Sequence, residues 1–237
     1  MSISPAQPVA AHVREHRSLL AALEKRALIW IAERLPPRIN SDHLSALGLL
    51  SMLAAGVSFA TFRPTPWAAV AVITSLAANW FGDSLDGTVA RVRGHQRARY
   101  GFYVDHVIDL AGTTVLLTGL ACSGLMNPSL SGMLLSAYLL VSSESYLATH
   151  AAGTLRMSFL GFGPTELRIV LAIGTLKVAS SAWISMGPFG TFRLFDLGAV
   201  TATAGLIVAF VAAGVRNART LYAAEPLPAP ARGSGAA

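Results

Sequence analysis

Six apolar stretches, each near the roughly 20 residues that a bilayer core demands, leave this chain little choice but a helical bundle in a membrane. They run approximately over residues 44–62, 67–82, 102–122, 132–149, 165–186 and 195–215 of the 237. Hydrocarbon offers backbone groups no partners, so each stretch must satisfy its own N–H and C=O groups as a helix. Only 13% of the residues are charged, against about 25% in soluble domains. The expected architecture is therefore all-α: a polytopic membrane protein with six transmembrane helices. The second stretch is short if it stops at Asp83, so its helix is expected to run on beyond that residue.

Residues 12–35 hold no Gly or Pro and end at Pro36-Pro37. Leu20, Leu23, Ala27, Ile31 and Leu35 recur there at helical spacing, which predicts an N-terminal amphipathic juxtamembrane helix lying on the membrane surface. A plainly solvated helix is the alternative. Ser41 or Asp42 is expected to cap the first spanning helix. Residues 1–40 thus read as a cytoplasmic N-terminal segment, 41–218 as the transmembrane domain and 219–237 as a disordered tail rich in Ala, Pro and Gly. Residues 1–11 are mixed and Pro-containing, so no cleavable secretory signal is expected. The single cysteine, Cys122, excludes an intrachain disulfide.

Orientation follows the arginines and lysines. Arg14, Arg17, Lys25, Arg26, Arg34 and Arg38 precede the first span. Arg91, Arg93, Arg97 and Arg99 fill the second-to-third connection, Arg156 the fourth-to-fifth, and Arg216, Arg219 and Arg232 follow the last span. Only Arg63 and Arg193 fall on the other side. Both termini are expected to face the cytoplasm. The net charge of +6 is absorbed by topology and attraction to anionic lipid, and no nucleic-acid partner is expected.

Against this background stands FGDSLDGTVARVRGHQRARYGFYVDHVIDL. A carboxylate inside a spanning segment costs roughly 2.5–3.5 kcal/mol on insertion scales and usually faces a cavity or a partner. Asp83 and Asp86 are three apart and share one helix face, as do Asp105 and Asp109, four apart. The two pairs sit near the basic connection on consecutive antiparallel helices, so they converge. Converging carboxylates without His or Cys favour hard cations such as Mg²⁺, Mn²⁺ or Ca²⁺. Two such ions about 4 Å apart form a clamp for displacement at phosphorus, and a carboxylate not fully engaged by metal can take a proton from an attacking hydroxyl. Gly87 permits close approach to the backbone, and Arg91 suits a phosphate at the rim. In the alternative, the aspartates merely pair with Arg91, Arg93, Arg97 and Arg99, which does not account for two helically phased pairs.

The string Asp83-x-x-Asp86-Gly87-x-x-Ala90-Arg91, nine residues, then Gly101-x-x-x-Asp105-x-x-x-Asp109 resembles the signature of the CDP-alcohol phosphotransferases, with every fixed position filled. The resemblance covers roughly residues 20–218. It implies transfer of a phosphate-linked group from a CDP-alcohol to a second alcohol with release of CMP, in phospholipid biosynthesis. It further implies two divalent cations, Mg²⁺ or Mn²⁺, held chiefly by Asp83, Asp86 and Asp105. Asp109 falls at the position of the general base, which also touches a metal. Gly87, Ala90, Arg91 and Gly101 fall at the nucleotide-cradling positions. A homodimer is implied too. The compact six-span build resembles the prokaryotic members that use CDP-diacylglycerol, which places the chain in a plasma membrane with its site on the cytoplasmic side. A soluble CDP-alcohol donor is the alternative.

For the acceptor, Arg156 and Arg168 flank the connection after the fourth span and either hold a phosphate, as on inositol phosphate or glycerol phosphate, or serve topology alone. Glu144, an isolated acid inside the fourth span, is functional by default; it binds acceptor or pairs with Lys177. Tyr138, Tyr146 and Trp183 read as membrane-interface anchors. A reading from another class is an ion or metal transporter with an intramembrane aspartate pathway. That design places its acids near mid-membrane, with repeats or broken helices, whereas these cluster at one face.

Overall fold

In the computed structural model the described residues are 13–15, 21–152, 154–156 and 164–225. Helix α1 spans Ala21–Arg34, α2 Ser41–Ala60, α3 Pro66–Val92, α4 Ala98–Cys122, α5 Pro128–Ala152, α6 Pro164–Ser180 and α7 Leu194–Ala224. Each of the six apolar stretches thus lies largely within a helix. Four of these helices, α2, α3, α4 and α7, are long and apolar enough to cross a membrane, fewer than the six expected. Helix α5 has the length, at 25 residues, but Ser142, Ser143, Glu144 and Ser145 dilute its apolar run. Helix α6 stops at Ser180 after 17 residues, because residues 183–185 turn into a short strand that pairs antiparallel with Thr191–Arg193.

The helix expected over residues 12–35 is shorter. Val13–Glu15 instead pairs as a parallel strand with Thr154–Arg156, so a neighbouring segment, not a helical turn, meets its backbone. Helix α1 begins at Ala21 and ends before Pro36. Its Leu28 and Ala32 are buried against Leu44, Leu85 and Val89, so α1 packs on α2 and α3. The cap of α2 is Asn40, one residue ahead of the expected Ser41 or Asp42. Its side chain accepts from His43 N at 2.9 Å while its own N–H donates to His43 Nδ1 at 3.3 Å, a reciprocal capping box. Thr65 accepts from Ala68 N and Pro66 opens α3, with Pro at the position where its missing N–H costs nothing.

Two glycine crossings set the helices around α2. A Cβ on Gly82 would lie 2.6 Å from Gly48 N and Leu44 O, and one on Gly119 would overlap the Gly56 carbonyl. Small residues let backbones meet where lipid supplies no hydrophobic drive. Helices α3 and α4 therefore both lie flush on α2. Beyond the crossings Phe59, Phe62, Val72, Leu76, Leu116, Leu120, Val178 and Phe195 form the main core, with Phe59 edge-on to Phe195 at 6.0 Å. Large apolar side chains such as Val57, Ile173 and Val208 point outward, as a lipid-facing surface requires.

Candidate active site

Asp83 follows Gly82 directly, so the α2–α3 crossing fixes its position. Helix α4 lies on the same face of α2 and brings Asp105 and Asp109 to it. One carboxylate oxygen from each of Asp83, Asp105 and Asp109 lies within 4.8 Å of the others. Full charges at that separation repel by roughly 3–4 kcal/mol per pair at an effective dielectric of about 20. The donor set is all oxygen and partly buried, which fits a hard divalent cation.

Asp86 stands one turn further along α3 and is engaged differently. Its Oδ2 accepts from Ser45 Oγ at 2.6 Å, and its Oδ1 accepts from the Gly87 N–H. Convergence of the carboxylates is thus seen for three of the four, the fourth being turned toward α2. Arg91 lies back over Gly87 and donates to Thr88 Oγ1 at 3.0 Å. Ala90 is half-buried and Gly101 exposed, with no side chain or neighbouring helix among the described residues within 4 Å of where a Gly101 Cβ would stand.

Two loop arginines serve the scaffold. Arg93 donates to the carbonyls of Leu35, Pro36 and Ile39, holding the turn after α1. Arg97 pairs with Asp42 and lies over the Tyr100 ring. For neither does simple pairing with the aspartate cluster hold. A cation that meets the cluster comes from α6: Arg168 Nη2 donates to Asp83 Oδ2 at 2.6 Å and its Nε to Asn79 Oδ1 at 2.8 Å. Asn79 Nδ2 in turn donates to Gly48 O. Glu144 is met by Asn217 Nδ2 of α7 at 2.6 Å, so among the described residues its partner is neither Lys177 nor the cluster. The side chains of Arg156 and Glu166 lie outside the described residues.

Several contributors escaped the sequence reading. Ser45 and Asn79 look like ordinary small polar residues of spanning helices, and only the rotation of α2 and α3 aims them at the site. Tyr138 and Tyr146 of α5 read as interface anchors in the sequence. Tyr146 meets the buried His106 ring edge-on at 4.7 Å. Glu24 of α1 accepts from Trp80 Nε1 and Thr165 Oγ1, both at 2.8 Å, and from Ser84 Oγ at 3.4 Å. The available signal was an acid on the α1 helix with an indole and a hydroxyl in spans that need acceptors.

A family model described as CDP-alcohol phosphatidyltransferase matches residues 41–211. Archaetidylinositol phosphate synthase of Pyrococcus horikoshii is 26% identical over 155 residues, covering 62% of this chain and 79% of its own. Among solved structures, Mycobacterium tuberculosis phosphatidylinositol phosphate synthase with CDP-DAG bound has a TM-score of 0.54 at 21% identity. It covers 86% of this chain and 100% of that one, a likeness of fold.

Proposed function

Because the chain belongs to the CDP-alcohol phosphatidyltransferase family, we propose that it moves a phosphatidyl group from CDP-diacylglycerol to a hydroxyl of a polyol phosphate and releases CMP. The observation that carries this reading is the convergence of Asp83, Asp105 and Asp109 within 4.8 Å at one end of an apolar bundle. A lipid whose tails occupy the bilayer holds its pyrophosphate at that level. The product named for the Pyrococcus relative supports an inositol phosphate acceptor, and the CDP-DAG held by the Mycobacterium protein supports a lipid-linked donor.

On this reading Asp83, Asp86 and Asp105 hold two divalent cations, Mg²⁺ or Mn²⁺, with Asp109 touching one. When bound, such ions neutralise the pyrophosphate and stabilise the departing CMP. Asp109 accepts the proton of the acceptor hydroxyl as that oxygen bonds to the phosphorus of the phosphatidyl group. The bond from that phosphorus to the bridging oxygen breaks, and CMP leaves with its electron pair. Gly87, Ala90, Arg91 and Gly101 line the nucleotide side, and Arg156 and Arg168 the acceptor side. Helices α5 and α6 complete a bundle of six spans over residues 41–218, with α1 at the cytoplasmic surface. The protein works as a homodimer.

The test is CMP release by purified protein supplied with CDP-diacylglycerol, Mg²⁺ or Mn²⁺, and a panel of inositol phosphate, glycerol phosphate, inositol and serine. Asp109→Asn is expected to lower turnover by about 10²–10⁴, the usual worth of a general base, while metal-dependent CMP binding persists. Wild-type rates in Asp109→Asn would overturn the base assignment. Release dependent on serine alone would overturn the acceptor.

A further inference from the structure

The carboxylate cluster is already met by a cation of the chain's own. Arg168 reaches from α6 to Asp83 with a 2.6 Å hydrogen bond, and both side chains are largely enclosed, at 15% and 22% exposure. A guanidinium in this place relieves the mutual repulsion of three carboxylates, and a divalent cation would relieve it in the same way. Both together crowd positive charge onto one carboxylate. Arg168 is also mounted to move. Its Nε is anchored to Asn79, a neutral side chain held by the Gly48 carbonyl, while Nη2, the atom on Asp83, lies at the free end of the fork. Swinging that end away leaves the anchor intact.

Resting on the reading that these aspartates hold metal, we propose that Arg168 stands in for the divalent cation in the metal-free protein. Loading of the cluster then displaces it from Asp83. The pair is a resting state that keeps buried carboxylates compensated, since an uncompensated buried charge is strongly destabilising. Once displaced, Arg168 offers a planar pair of donors that match a phosphate oxygen pair. An anionic acceptor therefore finds its arginine only after the metal is in place, and binding is ordered, metal before acceptor.

The experiment titrates Mn²⁺ into chelator-stripped protein in detergent, following free Mn²⁺ by its paramagnetic resonance signal, for wild type and Arg168→Gln. Loss of the competing guanidinium is expected to tighten Mn²⁺ binding about tenfold, within the usual range of coupling between two ligands of one protein. The metal-free variant melts below wild type and regains most of the difference with Mn²⁺. Should Arg168→Gln not fold, the wild-type protein answers alone. Modification of Arg168 by phenylglyoxal, mapped by mass spectrometry, rises on addition of Mn²⁺ if the side chain is released. Unchanged or weaker Mn²⁺ binding in a folded variant, or protection that Mn²⁺ leaves in place, overturns the proposal and makes Arg168 a fixed prop for Asp83. Absence of Mn²⁺ binding in both proteins overturns the metal reading itself, and the proposal with it.

Discussion

Ser45 carries one hydroxyl proton, and that proton orients the carboxylate standing apart from the other three. Its 2.6 Å bond to Asp86 Oδ2 is charge-assisted, a class worth about 1.5–3 kcal/mol. With the hydroxyl gone, Asp86 keeps the adjacent Gly87 N–H but loses its tether to α2 and can rotate. Ser45→Ala is expected to weaken Mn²⁺-dependent CMP binding by about tenfold, which corresponds to roughly 1.4 kcal/mol, as read by titration calorimetry. CMP affinity equal to wild type would mean that the hydroxyl only fills space. The aspartates themselves were legible as residues because spacings of three and four put each pair on one helix face. That Asp86 is tethered to α2 was not legible, since it depends on a serine 41 positions earlier and on how α2 is rotated. Arg168 was legible as a cation near the site but not as the partner of Asp83, for the same reason.

At the scale of elements, α1 is bound into the bundle through one acid. Glu24 takes hydrogen bonds from Trp80 and Ser84 of α3 and from Thr165 of α6 on a single oxygen. Ser84 neighbours Asp83, and Thr165 lies one turn before Arg168, so this contact sets the two helices whose side chains make the ion pair. Replacing Glu24 by Ala leaves an indole N–H and two hydroxyls without this acceptor, at a cost of about 1–3 kcal/mol. Glu24→Ala is expected to lower the melting temperature by about 5 °C in a detergent thermal-shift assay, and Glu24→Gln, which retains an acceptor oxygen, by less. A Glu24→Ala melt identical to wild type would show that apolar packing of Leu28 and Ala32 holds α1 unaided. Periodicity located these helices well because each needs an apolar run or a stripe. The strand at Val13–Glu15 and the end of α6 at Ser180 were missed because strand pairing competes there: the first pairs with Thr154–Arg156, 141 residues on, and residues 183–185 pair with Thr191–Arg193, and no apolar pattern announces either.

Across the whole molecule, α4 connects the two faces of the bundle. Asp105 lies near its start and Cys122 at its end, about 26 Å along the axis at 1.5 Å per residue, close to the ~30 Å thickness of a hydrocarbon core. Arg91, Arg93, Arg97 and Arg99 stand at the aspartate end, whereas only Arg63 and Arg193 fall on the cysteine side. From the bias of arginine toward the cytoplasmic side, the carboxylate cluster is expected inside and Cys122 outside. Cys122 is exposed and is the chain's only thiol, so the orientation can be read without background. A membrane-impermeant maleimide is expected to label wild-type protein in right-side-out vesicles without detergent. In a Cys122→Ala background, a thiol introduced by Arg99→Cys should react only once the vesicles are opened. The reverse pattern would invert the topology and separate the carboxylates from cytoplasmic nucleotide.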